Sequence, residues 1–596
     1  MPVSAKSLEA AYQRARSALL AERTAEGHWV GELSPSALST ATAIMALAQV
    51  QRALGDSRFA SLIDGGLRWL MTNQNTDGGW GDTTRSFSNI STTMLCRAAL
   101  HLTGAVARGD AATLESLRRA EAWLGERYGK TPSELAESVR QRYGVDRTFA
   151  VPILTTCAIA GLVEWREVPP LPFEMACFPQ SWYRFLRLHV VSYALPALIA
   201  IGQAIHHFRP TWNPITRVLR WATKGSSLNV LRAIQPSSGG YLEATPLTSF
   251  VALSLASIGH AEHPVATHAV EFLRKSVLGD GSWAIDSNLA TWVTTLSVNA
   301  LAAAGDLESF DRTEPIRDWL VGQQFRERHP FTGADPGGWG WTDLPGSVPD
   351  ADDSPGALLA LRHLTAWSPG QPRPAFVQQG IRWLLGLQNR DGGWPTFCRG
   401  WGHLPFDRSG TDLTAHVLRA LHAWDAVLPT ASAMVRGFEH LGQEQRLDGS
   451  WLPLWFGNQH AADDENPTYG TAKVLAAYRD LGRWTDKPAV RGLHWLLANQ
   501  NPDGGWGGGG GAPSSMEETS LAMEIVADAG PEADQARNAG ADWLIDRLQH
   551  DDWSLPTPIG FYFAKLWYYE KMYPLVGAVA ALGRLRKRWR SENDTI

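Results

Sequence analysis

Cysteine is scarce in this chain of 596 residues. The four present, Cys96, Cys157, Cys177 and Cys398, are widely scattered. That spacing excludes a disulfide framework and a CxxC zinc pair, and it is expected of reduced thiols in a cytosolic setting. Positive charge is not in excess either. Lys+Arg number 54 against 60 Asp+Glu, a formal net charge of −6, so a protein that coats nucleic acid is excluded and no nucleic-acid partner is expected. No apolar run reaches the roughly 20 residues that span a bilayer. The best candidate, VVSYALPALIAIGQAI at 190–205, is interrupted by Pro196 and Gln203, and burial inside the protein is expected for it. The opening MPVSAKSLEAAYQRARS has no apolar core of the kind a signal peptide carries, which predicts a cytoplasmic location. Alternation with period 2 does not recur over several segments, so no substantial sheet is expected. Five consecutive glycines at 507–511 are not followed by Gly-Lys-Ser/Thr; a flexible surface loop is expected there, not a phosphate cradle.

Tryptophan, by contrast, is abundant, with 27 copies, and hydrophobic residues make up 44% of a chain only 19% charged. That composition excludes disorder. The tryptophans close a repeated segment. GLRWLMTNQNTDGGW ends at Trp80, AVEFLRKSVLGDGSW at Trp283 and GIRWLLGLQNRDGGW at Trp394, with further copies ending at Trp339, Trp451 and Trp506 and a degenerate one at Trp553. From Trp283 onward the spacings are 56, 55, 57, 55 and 47 residues, the period of a supersecondary unit. Within one unit, Gly492, Trp495, Leu496 and Gln500 share a helix face, and the Asn-Pro-Asp-Gly-Gly that follows is a strong turn signal. The closing Trp is expected to fold back on that helix and bridge to its Gln. Each unit also holds a second apolar helix, such as TDLTAHVLRALHAW at 411–424. Two helices per unit predict an all-α protein, an α/α barrel or a solenoid. The stretch from Trp80 to Trp283 shows no clear copies, yet its pattern stays helical.

The sharpest chemical feature is Asp350-Ala351-Asp352-Asp353 in GSVPDADDSPGALLALRHL. Aspartate ahead of a Pro-containing helix start is a good N-cap, favoured by the helix dipole. Three carboxylates in four residues exceed what a cap needs. Crowding raises the pKa of one member and keeps it protonated near neutrality, an acid that can act on something weakly basic in an apolar pocket.

The Trp-closed repeats together with Asp-x-Asp-Asp resemble those of the class II triterpene cyclases, most closely the bacterial squalene–hopene cyclases, and the resemblance covers essentially the whole chain. It implies two α/α barrels with an apolar cavity between them: a tail at 1–24 packed on the C-terminal barrel, an inserted barrel at 25–275, and a catalytic barrel at 276–596. It implies cyclisation of squalene or a similar linear polyprene to a hopene-type polycycle through carbocations, with no cofactor and no metal. Asp352 matches the acid that protonates the terminal double bond, and Asp350 and Asp353 its flanking carboxylates. His416 matches the histidine bonded to the acid, expected as a protonated imidazole, with Asp412 one turn before it on the same face. Tyr469 matches a tyrosine that orders water for reprotonation. A travelling cation needs aromatic faces, each worth roughly 0.5–2 kcal/mol. Trp341, Phe397, Trp455 and Trp292 match substrate-facing positions, and Phe561, Tyr562 and Tyr569 fall in the region of the family's late-ring aromatics. Any of these aromatics could singly be core packing instead.

This sequence departs from the family at the end of the cascade. A water-activating Gln-Pro pair appears here as Thr245-Pro246, preceded by Glu243, and an aspartate after the Trp292 position is replaced by Val293. Initiation therefore reads as intact, while the terminating step and product stay open, including another linear terpenoid or meroterpenoid. An apolar isoprenoid resides in membranes. The segment NPITRVLRWATKGSSLNVLRAIQ at 213–235 mixes apolar residues with Arg217, Arg220 and Lys224, as an interfacial helix does. A monotopic protein on the cytoplasmic face of the cell membrane is expected, presenting this segment beside a channel entrance, with a homodimer among the assemblies allowed. Competing classes make different demands. A protein prenyltransferase needs an Asp, Cys and His zinc set, and a class I terpene synthase needs DDxxD; neither is present. A glycosidase would place its tryptophans along an open cleft. A non-catalytic isoprenoid-binding barrel keeps the pocket without the chemistry.

Overall fold

The computed structural model describes residues 4–144, 147–188, 190–307, 313–424, 430–561 and 565–593. Almost all regular structure is helical, and the strands form only short antiparallel patches. Six helices close a ring in the C-terminal half. Ala290–Ala304 packs on Asp353–Leu364, then come Thr411–Ala423, Pro467–Asp480, Met516–Val526 and Met572–Asn593, which returns to the first. A second ring is made by Ala37–Leu54, Ile90–Leu102, Arg147–Ile159, Val190–Phe208 and Thr245–Ser257. These are two α/α barrels. The N-terminal helix Ala5–Ala21 packs on Met572–Asn593, tied there by the Tyr12 hydroxyl, which donates to Asp306 at 2.7 Å. Chain ends far apart in sequence thereby close one barrel, while the other is inserted between them.

The repeat closes each outer helix onto the ring, though not as expected. The indole N–H of Trp80, Trp283, Trp394, Trp451 and Trp506 donates to a leucine carbonyl ten residues earlier at 2.7–2.8 Å. The same tryptophan's backbone N–H bonds a threonine hydroxyl of an inner helix, as Trp394 does with Thr414 at 3.0 Å. The repeat glutamine does not bridge to the indole. Gln388 donates to the carbonyls of Gly392 and Ala433, and Gln500 to those of Gly504 and Ala536, which joins the turn to the start of the next outer helix. Buried Trp80, Trp283, Trp394, Trp451 and Trp506 thus act as staples away from the cavity, and each satisfies a helix-end carbonyl that would otherwise be costly to bury.

A unit hidden from the sequence lies in the stretch without copies. Tyr241 takes the tryptophan's place: its hydroxyl donates to Leu231 O at 2.8 Å, its backbone N–H to Thr248 Oγ1, and Gln235 donates to Gly239 and Val265. The glycine run also differs from expectation. Gly507, Gly508 and Gly509 are buried, and a Cβ at Gly508 would sit 2.3 Å from the Asn458 side chain. Close backbone approach, not flexibility, demands glycine there.

Candidate functional site

Between the barrels lies a cavity of about 630 Å³ walled mainly by aliphatic and aromatic side chains, within the size range of small-molecule pockets. One barrel contributes residues such as Leu38, Phe149 and Tyr193, the other Trp292, Trp341 and Asp352, and the C-terminal hairpin adds Tyr568.

The acid sits at the start of the inner helix Asp353–Leu364. Asp350 takes the capping role. Its Oδ1 accepts the backbone N–H groups of Asp352 and Asp353, both at 2.8 Å, while the Asp352 side chain makes no cap bond. The Asp352 carboxyl is thereby left for the cavity, and its Oδ1 lies 3.0 Å from His416 Nδ1. Burial pushes the imidazole of His416 down, against the pull of Asp352, so the charged ring expected from sequence is disfavoured where it sits. Burial raises Asp350 to about 7. Burial, then the charge of Asp350, raises Asp353 well above the usual carboxylate range. Asp412 shares the face of His416; burial, then Asp352, raises it to about 7, and its Oδ1 accepts the Leu454 N–H at 3.0 Å. Tyr469 packs on Phe456 behind this group, with the Lys473 Nζ 5.2 Å from its ring centre.

An aromatic wall continues from the acid. Trp292 meets His416 edge-on and donates its indole N–H to Tyr573. Trp341, Phe397 and Trp455 line the cavity as expected, with Phe397 set edge-on to both tryptophans. Tyr193 and Phe406 complete this cluster around Phe397, and neither carried a sequence signal.

The C-terminal hairpin corrects one assignment. Tyr569 does not line the cavity; its hydroxyl reaches Thr84 and Arg85 stacks over its ring. Tyr568 and Tyr573 line it instead and bond each other at 2.9 Å. Successive strand residues face opposite ways, so a one-residue misreading exchanged inside for outside. Phe561 ends the strand Ile559–Phe561, paired with Phe456 and Leu566, and Tyr562 lies outside the described residues. In the 243–246 region Pro246 lines the cavity, whereas Thr245 and Glu243 are buried behind the wall.

The helix Pro214–Ala233 leaves Ile215, Val218, Leu219 and Trp221 exposed, next to a fully exposed Trp212. Phe178, Trp182, Phe185 and Leu186 are exposed as well. Arg220, read as part of the basic face, is buried and paired with Glu174 at 3.0 Å. Val190–Phe208 is long and apolar enough to cross a membrane by length and composition, and most of it is buried in the protein. Among the described residues no group of His, Cys, Asp and Glu could hold a metal ion.

An all-helical double barrel, with a hydrocarbon-lined cavity and a carboxyl set in its wall, has the form of a terpene cyclase. Comparison with known proteins agrees. Residues 12–207 match the model of the squalene-hopene cyclase N-terminal domain, and residues 289–587 that of the squalene-hopene cyclase C-terminal domain. The chain therefore belongs to the squalene-hopene cyclase family of class II terpene cyclases. It is 24% identical to the squalene–hopene cyclase of Alicyclobacillus acidocaldarius over 98% of each chain. It is 26% identical to enfumafungin synthase of Hormonema carpetanum over 91% of this chain, which spans about half the length of that relative. Among solved structures, the ent-copalyl diphosphate synthase of Streptomyces platensis shares the fold, with a TM-score of 0.58, 20% identity and coverage of 98% and 99% of the two chains.

Proposed function

We propose that this terpene cyclase polycyclises squalene or a linear polyprene of similar length to a hopene-type product, with Asp352 as the initiating acid. The observation that carries the reading is the Asp352 carboxyl in an apolar wall, 3.0 Å from His416 and relieved of helix capping by Asp350. Asp352 gives its proton to the terminal double bond, whose electron pair forms the new C–H bond, and the resulting cation is attacked by the next double bond in turn. His416 bonds the carboxylate left behind. Trp341, Phe397, Trp455 and Trp292 face the cavity and offer ring faces to the successive cations without any lone pair able to trap them. Tyr469, behind the acid, suits the return of a proton from water.

Attachment to the membrane belongs to the same reading. A C30 hydrocarbon gains on the order of 20 kcal/mol on leaving water, at about 0.8 kcal/mol per carbon unit, so the enzyme must meet it in the bilayer. The exposed Trp212, Ile215, Val218, Leu219 and Trp221 suit a helix lying in the interface on the cytoplasmic face of the cell membrane.

The reading is tested by incubating the protein with squalene in vesicles, without added metal, and analysing the products by gas chromatography with mass spectrometry and NMR. Polycyclic C30 products are expected. Bound but unconverted squalene would leave an isoprenoid-binding barrel instead.

A further inference from the structure

A cascade that begins by accepting a proton must end by losing one or by capturing water. In a hydrocarbon wall the last cation persists until a base reaches it. Besides Asp350, Asp352 and Asp353, the cavity wall contains one other carboxyl among the described residues, that of Asp286.

Asp286 stands on a constructed support. It follows the strand Trp283–Ala284 and bridges to Ala244, while Ile285 O accepts the Thr245 N–H at 3.0 Å. The Ser287 N–H donates to Asp286 Oδ1 at 2.7 Å, and the Ser287 hydroxyl reaches Glu243 Oε2 at 3.4 Å. Glu243 Oε1 in turn accepts the Gly346 N–H at 2.7 Å and the Ser238 hydroxyl at 2.6 Å. A Cβ on Gly346 would lie 2.5 Å from that oxygen, so only glycine lets the loop come this close. Leu242 and Glu243 both adopt positive φ, 55° and 54°; Leu242 lines the cavity while Glu243 is buried beneath the wall.

Burial, then the charge of Glu243, pushes Asp286 well up, and burial raises Glu243 too. A carboxylate stripped of water is a stronger base than one in solvent. Trp341 and Asp286 both line the cavity, so a cation held over that ring shares the pocket with the carboxyl.

We propose that Asp286 is the catalytic residue that ends the cascade, taking a proton from the carbon beside the last cation. The C–H bond breaks, its electron pair becomes the new double bond, and the proton forms an O–H bond on Asp286. Asp286 releases that proton to water when the product leaves, and Asp352 regains one from water, so the reaction is a net isomerisation. This assignment rests on the cyclase reading above.

The test compares wild type, Asp286→Asn and Asp286→Glu on squalene in phosphatidylcholine vesicles, reading both squalene consumed and the products formed. In Asp286→Asn the wild-type alkene is expected to fall from main product to minor component of what is formed, replaced by alcohols or differently terminated alkenes. Asp286→Glu restores the alkene. An unchanged product profile in Asp286→Asn overturns the proposal and leaves the cyclase reading standing. So does loss of squalene consumption in a folded Asp286→Asn, which would place the residue in binding or initiation. A wild-type product that is entirely alcohol overturns it too, because no C–H bond then breaks. Failure of the wild type to convert squalene overturns the squalene reading and this assignment with it.

Discussion

The Asp350 carboxylate accepts the backbone N–H of Asp352 at 2.8 Å, and so one aspartate caps the helix while its neighbour stays free to act. Replacing Asp350 by Ala removes the cap at a cost of about 1 kcal/mol in stability, and it leaves the Asp352 carboxyl as the nearest substitute cap. Turnover should fall by roughly tenfold or more, the effect of about 1.4 kcal/mol at the transition state. Asp350→Asn keeps an oxygen acceptor and should retain more activity than Asp350→Ala. Equal loss in both, measured as initial rates of squalene consumption, would show that the charge of Asp350 matters and its capping does not.

Asp412 makes stability depend on pH. Its carboxyl is raised from 3.8 to about 7 by burial and by the charge of Asp352, so between those values the folded protein binds the proton that the unfolded chain has released. Stability from this group is full below pH 4 and is lost as pH rises toward 7. Asp412→Asn lacks the proton, and its stability relative to wild type should therefore rise by about 1.4 kcal/mol per pH unit from pH 5 to pH 7. Denaturant titrations of both proteins at matched pH measure the difference. A difference that stays flat with pH would place the Asp412 carboxyl near its ordinary value.

The rings around Phe397 should control how far a cation travels. Trp341, Trp455 and Phe406 all pack within 6.4 Å of Phe397, centre to centre. Trp341→Ala or Phe397→Ala removes a cation-stabilising face worth roughly 0.5–2 kcal/mol, so incompletely cyclised products should appear while initiation continues. Complete products at a lower rate would mean these rings only shape the pocket.

Much of the fold was legible because the repeats carry their own punctuation. Helix period, turn glycines and closing tryptophan coincide in each unit, so paired helices in an α/α barrel or solenoid and the stapling role of Trp394 or Trp506 could be read directly, while the division into two barrels came from the family resemblance. The unit closed by Tyr241 was missed because its ring differs, although Gln235, four residues before Gly239, was a usable signal. The acidic cluster was legible from the crowding of Asp350, Asp352 and Asp353, but which one capped the helix depended on backbone geometry. Tyr568 was missed in favour of Tyr569 because strand register decides which neighbour faces in, and Tyr573, on the helix Met572–Asn593, carried no motif of its own. Arg220 looked like a solvated cation until its long-range partner Glu174 was in place. Asp286 had no local motif; only the folded wall brings it beside Glu243 and Trp341.

If Leu219 and Trp221 hold the protein to the bilayer, exposed as they are, then Leu219→Glu with Trp221→Glu should move it from the membrane fraction to the soluble one. Conversion of squalene in vesicles should slow, while conversion of detergent-solubilised squalene should change little. A double variant that sediments with membranes and turns over vesicle squalene as wild type does would place attachment elsewhere.

The central claim is that the Asp352 proton starts the reaction, and Asp352→Asn tests it most directly. The amide keeps the shape and can still bond His416, so thermal unfolding should match wild type. It has no proton acidic enough for an alkene, so squalene incubated with the variant should be recovered unchanged by gas chromatography. Substantial cyclic product from a folded Asp352→Asn protein would contradict the account.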